Sequence, residues 1–245
     1  MAKESGLGAN FYVDGVDLSG DTGSLESISK ALNPIPQTGI DKLAHERKAG
    51  QLFGVIDWTS FFNPTTAHPT LRNVPRADRI ATYFHRTTLG APAASMVCKQ
   101  VDYAPTRPAD GSLLVKVQTI SNAWWLDWGL SLTAGKKTDG GATNGTGVDF
   151  TAGAAFGLQA YLQVFAFTGT SATVKLQHST DNGGGDPYAD VTLGGFTLVT
   201  GITKERIQTS RTLPIKRYLR AVTTGTFSNL IFAVMATVNK ADYTI

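Results

Sequence analysis

Apolar residues in the last third of the chain recur at every second position. From residue 158 onward, Leu158, Ala160, Leu162 and Val164 fall on one face. Gln159 and Gln163 fall on the other, with Tyr161 and Phe165 beside them. Between Thr173 and His178, Val174 and Leu176 alternate with Thr173, Lys175 and Gln177. Between Arg217 and Thr223, Tyr218 and Val222 alternate with Leu219 and Ala221. From Leu230 to Val238, the side chains of Leu230, Phe232, Val234 and Val238 share a face. Side chains alternate across a strand with a period of two, whereas a helix needs about 3.6. The runs are rich in β-branched and aromatic residues, which suit a pleated, half-buried surface. Such a segment buries its apolar face only against a second layer, so the pattern predicts a β-sandwich or barrel.

Turn formers punctuate these runs. Thr168-Gly169-Thr170 and Thr224-Gly225-Thr226 read as short hairpin loops, and Asp181 to Asp186 (DNGGGD) reads as a flexible loop. Residues 148–245 are therefore expected to form one β-sandwich domain. Residues 133–157 are poor in bulky side chains and rich in Gly, Ala and Thr, and read as a junction, a flexible loop or an arm. Residues 1–147 form the other expected domain. Strands are predicted at Phe11–Val13, Gln51–Phe62, Ser95–Tyr103, Ser112–Ile120 and Leu126–Leu132. Prolines concentrate in this part and confine pairing to edges and loops. One helix is predicted to open at Pro75, with Ala77, Ile80, Ala81 and Phe84 at helical spacing and Arg76, Asp78 and Arg79 opposite.

The single cysteine, Cys98, excludes an internal disulfide. The opening MAKESGLGAN has no apolar core of a signal peptide, and no run of about 18 apolar residues predicts a membrane span. Charged residues are 17% of the chain, low enough to suit a surface covered by neighbouring subunits. The formal net charge is +3, with 14 basic and 13 acidic residues up to Gly147 and 8 basic and 6 acidic after it. Neither part carries the clustered positive charge of a protein that grips nucleic acid through phosphates.

The motifs of chemistry are sparse. His45, His68, His85 and His178 have no metal-site spacing, and Cys98 has no CxxC companion. There is no GxSxG elbow and no Walker loop. Gly6, Gly8, Gly15 and Gly20 are turn positions rather than a phosphate-binding fingerprint. Ser179 to Gly183 carries oxygen donors but lacks the spacing and closing Glu of a calcium loop. Trp124, Trp125 and Trp128, with Asp127 among them, fit a sugar platform, a core or a subunit interface; in a strand Trp124 and Trp128 would share a face and Trp125 take the other. The carboxylates of the last third, Asp149, Asp181, Asp186, Asp190, Glu205 and Asp242, show no pairing of the kind a glycosidase needs. No catalytic residue, cofactor site or metal site is assigned.

Several segments taken in order resemble the major tail protein of long-tailed bacteriophages, particularly the tail tube subunits of phages that infect actinobacteria. They are Leu7 to Leu25 (LGANFYVDGVDLSGDTGSL), Gly39 to Pro64 (GIDKLAHERKAGQLFGVIDWTSFFNP), Ala109 to Thr138, and the last third, with LQAYLQVFAFTGTSATVKLQHSTDN and RYLRAVTTGTFSNLIFAVMATVN. The resemblance implies an all-β protein: a sandwich or barrel-like tube core with one short helix, followed by a second sandwich of jelly-roll or immunoglobulin-like type.

The resemblance also implies a structural, non-enzymatic virion protein, assembled in the bacterial host cytoplasm and resident in the phage tail. Its copies would form stacked rings, commonly hexameric, whose inner strands join into one barrel. That conduit would enclose the tape-measure protein, meet terminator or tip proteins, and pass DNA during ejection without holding it. The stretch from Ile28 to Gln37, read as a long turn, and residues 133–147 are the expected ring-to-ring contacts. Two other classes fit the same residues: another virion component (a capsid decoration protein or connector), or a carbohydrate- or receptor-binding sandwich. An enzyme fits least.

Overall fold

The computed structural model describes residues 5–241. Its elements run β1 (Asn10–Val13), β2 (Val16–Asp17), β3 (Thr22–Pro36), β4 (Arg47–Phe61), helix α1 (Ala67–Leu71), β5 (Arg79–Phe84), β6 (Pro92–Thr106), β7 (Leu114–Ser121) and β8 (Asp127–Ser131). They continue with β9 (Lys137–Asp139), β10 (Thr143–Asn144), β11 (Val148–Asp149), β12 (Leu158–Ser179), β13 (Ala189–Gly195), β14 (Thr203–Gln208) and β15 (Tyr218–Val238). The expected all-β class is what the protein adopts, with antiparallel pairing consistent with a sandwich.

Two units separate by their internal contacts. The first holds residues up to Gly20, Ile80–Ser95 and Asp127 onward; the second holds Asp21–Arg79 and Met96–Leu126. The expected division at residue 147 is not the line along which these units part. Residues 133–147 lie inside the first unit. There β9 and β10 pair with β15, Thr133 and Asp139 are buried, and Asp139 Oδ2 accepts a hydrogen bond from Thr223 Oγ1 at 2.8 Å. Gly145 sits close against β15, where a Cβ would stand 2.4 Å from Ala221 O.

In the first unit the strand order is β13–β12–β15–β8–β6–β5–β1–β2, with β14 added to β12 and β9, β10 and β11 to β15. The segments expected as two hairpins are two long strands. β12 pairs with β15 from Leu158↔Val238 to Ser179↔Tyr218, and register shifts fall on either side of Gly169. Gly169 and Gly225 have φ of 153° and 126°. A Cβ on Gly225 would stand 2.4 Å from Ser171 O, and one on Gly169 would stand 2.4 Å from Phe227 Cα. These glycines bend the ladder and do not reverse its direction. Leu158 to Val164 and Ala172 to Leu176 thereby reach the same core, with Val191, Phe196, Val199, Leu219, Phe232 and Val234. A strand that turns a corner between layers in this way is a known route to a sandwich.

The helix expected at Pro75 is a second correction. Residues 79–84 form β5, and all six are buried. A strand covered on both faces loses its period of two, so Ile80, Ala81 and Phe84 mimic helical spacing. The helix forms earlier, at Ala67–Leu71, after a turn in which Asn63 Oδ1 accepts the backbone N–H groups of Thr65 and Thr66. At the other end of the unit's order, β1 and β2 join through Asp14 and Gly15, at φ 53° and 77°. Asp-Gly is the pair that a two-residue hairpin loop with positive φ demands.

Candidate functional site

The second unit is built on one antiparallel sheet in the order β3–β4–β7–β6, to which β6 gives Met96–Thr106. Its alternation is regular. Ile56, Trp58 and Ser60 of β4, Val115, Val117 and Thr119 of β7, and Cys98 and Gln100 of β6 are buried. Ser27, Asp57, Thr59, Lys116 and Gln118 occupy intervening positions, so the opposite face is polar along its middle, with exposed Phe61 and Ile120 toward its two ends. On that face Glu26 accepts a 2.5 Å hydrogen bond from Thr59 Oγ1 and pairs with Lys116 at 3.1 Å. These two contacts, the hydroxyl first, hold the Glu26 carboxyl below its ordinary value.

Two strands lie at the outer sides of this sheet, β3 on one side and β6 on the other. β3 pairs with β4, and β6 pairs with β7 and has β5 as a further neighbour. A long edge strand is a template for a further strand unless it is blunted. Pro34 and Pro36 blunt only the far end of β3.

Beyond the sheet, β3 and β4 continue as a two-stranded arm. Pairing runs to Pro36↔Arg47, and the Gln37 N–H donates to Glu46 O at 2.9 Å. Every residue from Leu32 to Ala49 is exposed. The stretch expected as a long turn at Ile28 to Gln37 is thus the outgoing strand of this arm, and the turn lies at residues 37–46. Ile35 is 49% exposed, and Ile40 and Leu43 are fully so. Ile40 and Leu43 bury nothing within their own molecule. A bare two-stranded ribbon is marginal in water.

The residues singled out for chemistry are dispersed. His45 sits in the exposed arm. His68 Nδ1 is 2.6 Å from Tyr103 Oη, His85 Nδ1 is 3.0 Å from Tyr83 Oη, and His178 Nδ1 accepts from the Lys216 N–H at 3.3 Å. Among the described residues no group of three His, Cys, Asp or Glu converges as a metal site. Cys98 is fully buried. The tryptophans do not share a strand: Trp124 and Trp125 precede β8, where the backbone is irregular, and Trp128 lies within it. Lys30 Nζ stands 5.1 Å from the Trp125 ring centroid, and Trp128 meets Tyr83 edge-on at 6.4 Å.

The carboxylates each have a partner of their own. Arg217 grips Asp149 through two 2.7 Å bonds and holds it down at about 2. Lys216 does the same for Asp186, also to about 2. Asp190 takes Lys175 and Gln177, and Glu205 takes the backbone and hydroxyl of Thr197. Asp242 lies outside the described residues.

One feature of the first unit escaped sequence reasoning. Gln163, 1% exposed, accepts the Gly15 N–H at 2.6 Å and donates to Ile80 O and Thr82 Oγ1. Thr82 in turn meets Ser95 Oγ at 2.8 Å. On the same face of β12, Tyr161 donates to Asp127 Oδ2 at 2.6 Å and accepts from Arg206 Nε at 3.1 Å. Burial first, and then the Asp127 charge, pushes the Tyr161 phenol well up. The face opposite the apolar core is therefore buried too, through hydrogen bonds. Alternation marks those residues as outward, and nothing in the pattern distinguishes outward from covered.

No protein-family model matches the sequence, and no curated protein matches it. Among solved structures it is similar to the Dit protein of phage SPP1, described as a paradigm of the hub adsorption apparatus of phages infecting Gram-positive bacteria. Identity is 13% and the TM-score 0.31, over 94% of this chain and 99% of that one. It is also similar to proteins of the phage p2 baseplate in its activated conformation. With strontium, identity is 10% and the TM-score 0.34; with calcium, they are 11% and 0.33. In both, 96% of this chain and 99% of the other are covered. At such TM-scores these likenesses decide neither topology nor role.

Proposed function

We propose that this protein is a non-enzymatic structural subunit of a bacteriophage tail, and specifically the repeating subunit of the tail tube. The observation that carries the reading is the arm at residues 32–49, whose apolar tip only a neighbouring molecule can cover. The ordered resemblance of four segments to tail tube subunits points the same way. In this reading the β3 edge of one copy pairs with the outer end of β6 of the next. A head-to-tail contact of that kind closes into a ring when its rotation closes. The polar face of the joined sheets lines the channel, and Ile35, Ile40 and Leu43 dock on the adjacent ring. A face whose Glu26 and Lys116 neutralise each other lets DNA pass without a grip. Tape-measure, terminator and tip proteins would be the further partners.

Electron microscopy of the concentrated full-length protein tests this. Tubes of stacked rings with a central channel are expected. Single rings that never stack would reassign the protein to a hub or connector. Monomers or trimers under all conditions, with glycan binding on an array, would reassign it to a decoration or sugar-binding protein.

A further inference from the structure

The loop between β12 and β13 holds an Asn-Gly linkage, Asn182–Gly183, at its turn. Its acidic residues already have partners. Asp181 accepts the N–H groups of Gly184, Gly185 and Asp186, and Asp186 faces Lys216 and Thr180. The Asn-Gly linkage carries a different chemistry. Glycine puts no side chain in the way of its own nitrogen. Once deprotonated, the Gly183 nitrogen can attack Cγ of Asn182. A bond forms between that nitrogen and Cγ, the bond from Cγ to Nδ2 breaks, and ammonia leaves. Water then opens the resulting five-membered imide at either carbonyl, giving aspartate or isoaspartate. One water is consumed and one ammonia released, with no other reactant.

The fold holds the corresponding nitrogens in different ways. Gly145, after Asn144, donates its N–H to Ala221 O at 2.9 Å beside the β10–β15 ladder, and Gly15, after Asp14, donates to buried Gln163 at 2.6 Å. Releasing either opens the body of the first unit. Gly183 is held by one side chain: its N–H donates to Ser179 Oγ at 2.8 Å. Ser179 is itself fully buried and tied to Asp186 O at 2.7 Å, while Asn182 is exposed and its Oδ1 accepts the Tyr188 hydroxyl at 2.7 Å. An exposed loop opens at far lower free energy than a central ladder.

We propose that Asn182 is a self-modification site of this protein, latched by the Ser179 hydroxyl. Opening the latch converts Asn182 to aspartate or isoaspartate. The conversion adds a negative charge beside Asp181 and Asp186 on an exposed surface.

Peptide mapping by mass spectrometry tests it, with the full-length protein incubated at mildly alkaline pH, folded and in urea. In the folded protein Asn182 should convert at least about tenfold more slowly than in urea, the factor that one hydrogen bond supplies. It should still convert before Asn144. Ser179→Ala should raise the Asn182 rate by about tenfold with Asn144 unchanged, and Ser179→Thr should keep the rate low. Equal rates at Asn182 in folded and urea-treated protein would overturn the proposal, as would folded Ser179→Ala converting no faster. Asn144 reports unfolding: a rise at both sites marks a variant that has lost its fold, and then the native comparison and Ser179→Thr decide.

Discussion

Two glutamines on one face of β12 should respond in opposite ways to the same substitution. Gln163 and Gln159 are both buried, at 1% and 3% exposure. Replacing Gln163 by Leu removes its bonds to Gly15, Ile80 and Thr82. Ile80 O keeps the Asp14 N–H at 3.1 Å and Thr82 keeps Ser95, so each loses one of two partners. The Gly15 N–H loses its acceptor. An orphaned buried donor costs about 1–3 kcal/mol and each lost bond about 0.5–1.5. With leucine's apolar gain set against this, Gln163→Leu should cost about 3 kcal/mol. For a protein of this size that lowers Tm by about 6–12 °C. Gln159 is the counterpart: its Oε1 is buried without a hydrogen-bond partner. Gln159→Leu removes a polar atom that had nothing to pair with, so stability should stay level or rise by about 1 kcal/mol. Urea unfolding followed by tryptophan fluorescence measures both. A Gln163→Leu protein as stable as the parent, or a Gln159→Leu protein as damaged as Gln163→Leu, would refute the assignment of the network.

Three further outcomes are expected. Gly225→Ala should destabilise by about 2–4 kcal/mol in thermal unfolding, because the Cβ meets Ser171 O at φ 126°. Asp149 and Asp186, held at about 2 against an ordinary 3.8, contribute stability that is full above about pH 4 and lost as pH falls through about 2; carboxyl NMR titration of the native protein and of Arg217→Gln should show Asp149 alone returning toward its ordinary value. Ile40→Asp with Leu43→Asp should leave the Tm of the monomer unchanged, since both side chains are fully exposed, and abolish stacking in electron microscopy. Hydrogen exchange adds a check on the edge: the β3 amides that point away from β4 should exchange faster in the monomer than in the assembly.

Alternation identified the runs within β12 and β15, because a strand with one apolar face writes its two faces into the order of its residues, while the strands expected at β1, β4, β6, β7 and β8 came from a less regular part of the sequence. It also fixed the all-β class, since a protein with so many one-sided strands has no other way to bury them. What it left open depended on neighbours distant in sequence. Residues 79–84 looked helical because β5 is covered on both sides, and coverage is a tertiary fact. Gly169 and Gly225 carried the same local signal whether the backbone reversed or bent; the bend follows only from Leu158–Ser179 pairing with Tyr218–Val238 along its length. Gln159 and Gln163 are one residue type on one face, and only the approach of Gly15, Ile80 and Thr82 makes one of them a buried keystone. Period and propensity act within a strand, so sequence sets them; which face, edge or tip is covered is set by residues far apart in the sequence, and only folding brings those together.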